Sequence, residues 1–118
     1  MEFASALPIY LQVMTMIKRE IVTGQLQLGE KLPSVRDMAL RFTINPNTVS
    51  RVYKELENEG ICFTKRGMGT FVTEEKSIVE TLREEMAAEL MDQFLDGMRR
   101  LGISAEEAID RVKERVVC

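Results

Sequence analysis

The tightest constraint on this chain is the short distance between two helix patterns that meet near Asn45-Pro46. Apolar residues at helical spacing run from Val35 to Phe42, and the chain then turns through Thr43 to Asn45. Asn45 can cap a new helix, and proline suits the first helical position because it needs no backbone N–H there. The sequence therefore predicts two helices joined by a short turn.

The flanking residues predict one helix before this pair and a hairpin after it. Apolar residues spaced by three and four indicate a first helix from Pro8 to Gly24, and residues 25–33 are predicted as a connector rather than a strand. Ser34 begins the second helix as its cap, and Gly60 ends the third. Residues 61–64 and 70–72 flank a glycine-bearing turn, which is typical of a β-hairpin. Residues 1–73 are thus predicted to form a winged helix-turn-helix.

Residues 74–118 are predicted to form a separate helical tail. Ser77 with Glu80 matches a capping box, and a long helix follows as far as Leu101-Gly102. A second helix is predicted to start at the capping residue Ser104, with an inner face formed by Ala108, Ile109, Val112 and Val116. The predicted fold class is mainly α with a small β-hairpin (α+β): a winged helix-turn-helix followed by a C-terminal helical hairpin.

An apolar stripe on the long tail helix is too long for the second tail helix to cover. We expect it to be a homodimer interface, because a pair of amphipathic helices must pack on a partner; folding of the tail onto its own winged domain is the alternative. Methionines at helical spacing are far more often packing residues than metal ligands. The predicted interface consists of Ile78, Leu82, Met86, Leu90, Phe94 and Met98.

The charge of the chain is unevenly distributed. Residues 1–73 carry nine Lys/Arg against seven Asp/Glu, whereas residues 74–118 carry seven against twelve, although the whole chain has a net charge of −3. Nucleic acid responds to the local field of the surface that faces it, so the acidic total does not exclude DNA. Histidine is absent, which removes the commonest general acid/base and metal ligand. No enzyme activity, cofactor or metal is predicted.

The two ends of the chain give an expectation about location. The first eight residues lack a basic leader followed by an apolar block, and no stretch is apolar enough to span a membrane. Cys62 and Cys118 lie far apart in sequence and are expected to be ordinary thiols in a reducing compartment. We therefore expect a cytoplasmic protein without a membrane partner.

The third predicted helix carries a polar stripe opposite its apolar side. Asn47, Arg51, Lys54 and Asn58 follow helical spacing, with Thr48 and Ser50 beside them. Side chains at the start of such a helix can reach base edges and phosphates in the major groove. A solvated polar face is the alternative interpretation.

Further cations accompany the stripe. Lys65 and Arg66 adjoin Gly67 at the predicted hairpin tip, where glycine permits close approach to a phosphate or a minor groove. A simple charged turn is the alternative there. Arg36 could contact backbone phosphate or pair with an acidic residue of its own chain.

Residues 8–72 resemble the DNA-binding domain of the GntR family of bacterial repressors. The resemblance lies in Pro8-Ile9-Tyr10, the segment from Gly24 through residues 29–36, residues 45–53, residues 55–60 and residues 65–72. It implies that Arg36, Asn47, Thr48, Ser50, Arg51 and Gly67 approach DNA. With the residues taken from the pattern itself, the predicted DNA-binding set is Arg36, Asn45, Asn47, Thr48, Ser50, Arg51, Lys54, Lys65, Arg66 and Gly67.

The short tail resembles that of the YtrA-type subfamily. Fewer than fifty residues follow the wing, too few to enclose a metabolite by themselves, and no residue indicates a small-molecule effector. The resemblance implies a homodimer that represses transcription by binding an inverted-repeat operator in double-stranded DNA, often beside transporter genes. The rival function is a winged-helix protein–protein interaction module.

Overall fold

The computed structural model describes residues 7–117, so the predictions for the first six residues and for Cys118 lie outside it. It contains five helices and one antiparallel hairpin in this range, as predicted. The elements are α1 (Ile9–Val22), α2 (Val35–Phe42), α3 (Pro46–Asn58), β1 (Cys62–Lys65), β2 (Gly69–Val72), α4 (Lys76–Arg100) and α5 (Ala105–Val116).

Side-chain caps fix the starts of α2 and α3. The Ser34 hydroxyl accepts a hydrogen bond from the Asp37 backbone N–H at 3.0 Å, and the Asn45 side-chain oxygen accepts one from the Asn47 N–H at 2.8 Å. Each cap satisfies a donor that the first turn of a helix leaves unpaired. Between them, Thr43 adopts a left-handed conformation with φ of 56°, which reverses the chain after α2.

Three helices enclose the core of the N-terminal region. Both α1 and α2 contact α3, whose apolar side is completely buried. The Tyr53 hydroxyl donates a 2.7 Å hydrogen bond to the Pro33 carbonyl, which joins α3 to the residue before the cap of α2. The largest fully buried side chains are Phe42, Ile17, Leu32, Met38, Leu56, Val13, Val49, Val52 and Val72. This core holds the outer side of α3 in a defined position.

The hairpin is attached to the connector that precedes α2. Phe63 pairs with Phe71 across the strands, and their rings stack with centroids 5.7 Å apart. Lys31 of the connector forms a β-bridge to Phe71, and the Leu32 N–H donates to the Thr70 carbonyl at 2.8 Å. The connector thus adds a short third chain to the hairpin, which the sequence pattern did not predict because Gly29 and Pro33 bracket so few residues.

The start of α4 differs from the prediction. The helix begins at Lys76, so Ser77 lies inside it and the predicted capping box of Ser77 with Glu80 is wrong. The Thr73 hydroxyl accepts a 3.1 Å hydrogen bond from the Glu75 N–H and turns the chain earlier. By contrast, the predicted cap of α5 is confirmed, because the Ser104 hydroxyl accepts from the Glu107 N–H at 3.2 Å.

The predicted inner face of α5 is mostly exposed within one chain. Ala108 is fully buried, but Ile109, Val112 and Val116 are all exposed. Within one chain, therefore, only Ala108 of this predicted inner face is buried, and the other three residues retain exposed surface. Two helices of this size cannot enclose both of their apolar faces without further structure.

The described chain divides into two compact units, one up to Leu82 and one from Arg83 onward. The predicted boundary after residue 73 marks the end of the wing, whereas this division falls inside α4. Within residues 7–117, no helix combines the length and apolar character that a membrane span requires.

Candidate nucleic-acid interface

The outer side of α3 presents most of the predicted base-reading residues together. Asn47, Ser50, Arg51 and Lys54 are exposed, while Thr48 is half-buried. They lie within the first three turns of the helix, opposite the buried Val49, Val52 and Leu56. The helix thus presents amide, hydroxyl and cationic groups on one accessible surface, the chemistry that reads base edges and phosphates.

Asn45 has a structural role besides its predicted contact with DNA. Its side-chain oxygen caps α3, so that acceptor is already used within the chain. The NH₂ group of the same amide carries two donor hydrogens that the cap does not use. Asn45 is exposed, so this NH₂ group can still donate a hydrogen bond to DNA.

The cations near α3 lack the carboxylate partners that two other cations of the same unit have. Lys18 pairs with Glu59 at 3.0 Å, and Arg41 pairs with Glu20, whose hydrogen bond raises the pKa of the Arg41 guanidinium. In contrast, none of the ion pairs within residues 7–117 involves Arg36, Arg51 or Lys54. These three cations are therefore not neutralised by carboxylates of the described chain.

Arg51 rests on an aromatic ring. Its guanidinium carbon lies 3.7 Å from the centroid of the Tyr10 ring, in the first turn of α1. The distance is that of van der Waals contact between stacked groups. Tyr10 is half-buried, so the ring is itself held by its surroundings.

The wing tip carries two more cations without a carboxylate partner among residues 7–117, Lys65 and Arg66. The Lys65 ammonium lies 4.9 Å from the Phe71 ring centroid and 5.7 Å from that of Phe63. Gly67 has φ of 77° and open space where a side chain would begin, so the backbone is accessible at the tip. The predicted wing residues thus form one exposed basic turn.

Lys31 is a basic residue of this surface that the sequence pattern does not identify. Its side chain crosses the wing at Gly69, where an added Cβ would lie 2.8 Å from the Lys31 Cε. The sequence placed Lys31 only in a connector, and nothing in the local pattern shows that the connector pairs with β2. Lys31 is exposed and brings a third cation to the base of the wing.

Two buried side chains of the winged unit, the Cys62 thiol and the Tyr53 hydroxyl, carry a proton that can ionise. Burial raises the pKa of the Cys62 thiol to about 12 and raises that of the Tyr53 hydroxyl well above its usual value. Both groups are therefore neutral near pH 7 and serve packing and hydrogen bonding. No cluster of three or more potential metal ligands occurs within residues 7–117.

Comparison with known families identifies the protein class. Residues 9–72, more than half of the chain, match the family described as bacterial regulatory proteins, gntR family. The chain belongs to the GntR family. The match ends at the last residue of the wing and covers every predicted DNA-binding position.

Relatives of this GntR protein match the tail as well. It is 42% identical to the HTH-type transcriptional regulator YhcF of Bacillus subtilis, over 95% of this chain and 93% of that protein. It is 39% identical to the HTH-type transcriptional repressor YtrA of the same organism, over 93% of this chain and 85% of that one. The similarity to YtrA thus extends beyond the winged domain, as the predicted YtrA-type subfamily requires.

Solved structures agree with the fold of this GntR chain. A GntR family transcriptional regulator from Listeria monocytogenes superimposes with a TM-score of 0.87 and 42% identity, covering 95% of this chain and 98% of that one. AraR(DBD), solved in complex with operator ORX1, gives a TM-score of 0.56 and 27% identity over 62% of this chain and 90% of its own. The protein is a DNA-binding transcriptional regulator with a winged helix, and not an enzyme.

Proposed function

We propose that this GntR protein is a repressor that binds an inverted-repeat operator as a homodimer. The observation that carries the proposal is the separation of its cations: those near α3 and the wing lack carboxylate partners among residues 7–117, whereas Lys18 and Arg41 are paired. Unpaired cations on one accessible surface can neutralise phosphates and release counterions.

In this proposal α3 lies in the major groove and the wing contacts the backbone or the minor groove. Asn47 is placed to pair with adenine and Arg51 with guanine or a phosphate, while Thr48 and Ser50 lie beside them. Arg36, Lys54, Lys65 and Arg66 supply phosphate contacts, and Gly67 allows close approach at the wing tip. Asn45 contributes its amide NH₂ group.

The tail serves as the dimer interface in the same proposal. Leu90, at the middle of the apolar stripe, is 58% exposed, and Ile109 of α5 is 51% exposed. Ile78, Met86, Phe94 and Met98 are half-buried, so they also retain surface that a second copy can cover. Leu82 is only 5% exposed and therefore contributes little further area. Two-fold symmetry would present two α3 helices to two half-sites.

We infer only the class of the regulated genes, from the resemblance to the YtrA-type subfamily. YtrA is named as a repressor, and we infer that the present protein represses an operon of its own neighbourhood, with transporter genes as the expected class. It acts on chromosomal DNA, and hence in the cytoplasm. Transcript levels of the adjacent genes in a deletion strain test this part of the proposal, with increased expression expected.

The central test is selection of bound duplexes from a random pool, followed by titration of the recovered duplex. We expect an inverted repeat and binding that weakens steeply with salt. Asn47→Ala should weaken specific binding by about 1–3 kcal/mol, whereas Asn58→Ala, in the last turn of α3, should change it much less. Salt-insensitive binding, or no enriched sequence, would support the protein–protein interaction module instead.

A further inference from the structure

The contact between Tyr10 and Arg51 joins two helices that the sequence separates widely. Tyr10 belongs to the first turn of α1, and Arg51 lies midway along α3. The buried residues of α1 that pack in the core are Val13, Met14, Ile17 and Ile21, and Tyr10 precedes them at the edge of that surface. Its half-buried ring is therefore a fixed platform beneath an exposed side chain.

The contact restricts Arg51 without consuming its hydrogen-bonding capacity. The Arg51 guanidinium has five N–H donors, and a ring at 3.7 Å contacts it without accepting a conventional hydrogen bond through a lone pair. None of the ion pairs within residues 7–117 includes Arg51. Among residues 7–117, the contact with the Tyr10 ring is thus the interaction that limits the rotamers of the Arg51 side chain.

We propose that Tyr10 is a positioning residue that pre-orders the Arg51 guanidinium for its contact with operator DNA. Arginine loses considerable rotamer freedom when it is immobilised in a complex, and a side chain already ordered in the free protein loses less. Tyr10 thereby contributes to affinity through Arg51. The inference rests on the proposed function, since it assigns Arg51 a contact with DNA.

Two other cations of the surface, Arg36 and Lys54, have no such support. No ring contact involving Arg36 or Lys54 occurs among residues 7–117. These two side chains would therefore become ordered only when DNA binds. Arg36 is exposed and has no carboxylate partner in the same range, which makes it a matched comparison for Arg51. If Tyr10 acts through Arg51, its removal should leave the contribution of Arg36 unchanged.

A double-mutant cycle on the selected operator duplex tests the inference. Tyr10→Leu removes the ring but keeps an apolar side chain, and it should weaken binding about 2- to 10-fold, the range for the entropic cost of immobilising one flexible side chain on binding. In an Arg51→Ala background the same substitution should have no further effect. Tyr10→Phe keeps the ring and should restore affinity to within about 1.5-fold of the parent, allowing for the ring's altered electron density.

The comparison cycle uses Arg36→Ala, in which Tyr10→Leu should retain its full effect. Equal weakening by Tyr10→Leu with and without Arg51, or no weakening in the parent background, overturns the inference. Thermal unfolding checks that each variant folds, and Tyr10→Met replaces Tyr10→Leu in the cycle if the latter does not. If Arg51→Ala leaves affinity unchanged while the parent binds its operator, the inference fails and the proposed function stands. If the parent selects no duplex, the proposed function fails first.

Discussion

Residues up to Leu82 enclose a core of large apolar side chains within one chain, whereas most large apolar side chains from Arg83 onward remain exposed. All nine of the largest fully buried side chains belong to the first unit, and Ala108 is the buried residue of the second within the described range. Burial of apolar area is the main source of folding free energy. The winged unit therefore contains its own source of stability, whereas the tail buries little apolar area within one chain, as the proposed dimer interface requires.

Ion pairs occur in both units, but the cations of the proposed DNA-binding surface take part in none of them within residues 7–117. In the tail, Arg99 and Arg100 both pair with Asp96, and Arg111 pairs with Glu107. In the winged unit, the cations near α3 and at the wing have no carboxylate partner among residues 7–117. Cations without a carboxylate partner are thus available on the proposed DNA-binding surface, and the tail offers exposed apolar side chains to the proposed dimer interface.

The largest expected effect comes from charge in the middle of the tail stripe. Leu90→Glu should separate the subunits and lower operator affinity by about 10²–10⁴, because the second half-site is no longer bound at high effective concentration. Sedimentation and titration of a two-half-site duplex measure both effects. Glu89→Ala, which alters the exposed neighbour, should leave both properties unchanged. A parent protein that sediments as a monomer, or a monomeric variant with full operator affinity, contradicts the proposal that DNA affinity depends on a dimer formed through the tail.

A cavity in the core of the winged unit should lower the free energy of unfolding at every protein concentration. Leu56 is fully buried, and Leu56→Ala should lower the free energy of unfolding by about 2–5 kcal/mol. Leu40 is 71% exposed, so Leu40→Ala should change it by less than about 0.5 kcal/mol. Denaturant titrations at two protein concentrations make the measurement. Equal destabilisation by both substitutions would show that the core is not where the structure places it.

Removing the wing cations should change the salt dependence of binding. Replacing Lys65 and Arg66 by alanine should weaken binding to all duplexes and reduce the slope of log affinity against log salt by about one unit per lost phosphate contact. Replacing the tail residues Arg99 and Arg100 by alanine removes the same charge from paired positions and should leave the slope unchanged. A wing variant that keeps the parental slope excludes phosphate contacts there.

The last expected effect is confined to alkali, where the winged unit should lose stability. Burial raises the pKa of Cys62 to about 12, so above about pH 9 the unfolded state releases a proton that the folded state retains. Unfolding is then favoured as pH rises, by up to about 1.4 kcal/mol per unit from this thiol between about pH 9 and 12. Stability from this group is complete at lower pH. Thermal unfolding from pH 7 to 11 should show a shallower decline for Cys62→Ala; an identical decline removes the thiol as its cause.

Local chemistry made much of this fold predictable. Ser34, Asn45 and Ser104 cap their helices as predicted, because a cap depends on residues within a single turn. Ser77 was misassigned because two polar residues near each other, Thr73 and Ser77, can both turn a chain into a helix. The hydroxyl of Thr73 is the one that the structure uses.

Contacts between distant segments could not be predicted in this way. The position of Arg51 over Tyr10 depends on how α1 packs against α3, and the position of Lys31 beside Gly69 depends on a connector that pairs with β2. Periodicity shows which residues share a face but not which face of another element lies opposite. The exposure of Ile109 and Val116 could not be predicted either, because an apolar pattern does not specify the chain that covers it.

The bridge between Lys31 and Phe71 also bears on the order in which the protein folds. It joins the connector to β2, and the segment that it closes contains all of α2 and α3. Closing so long a loop has an entropic cost that the helices offset only after they have packed. The wing is therefore expected to dock late in folding and to detach early in unfolding. A substitution in the core, far from the DNA-binding surface, can therefore weaken the docking of the wing while the helices remain folded. The affinity for the proposed operator would then fall as well.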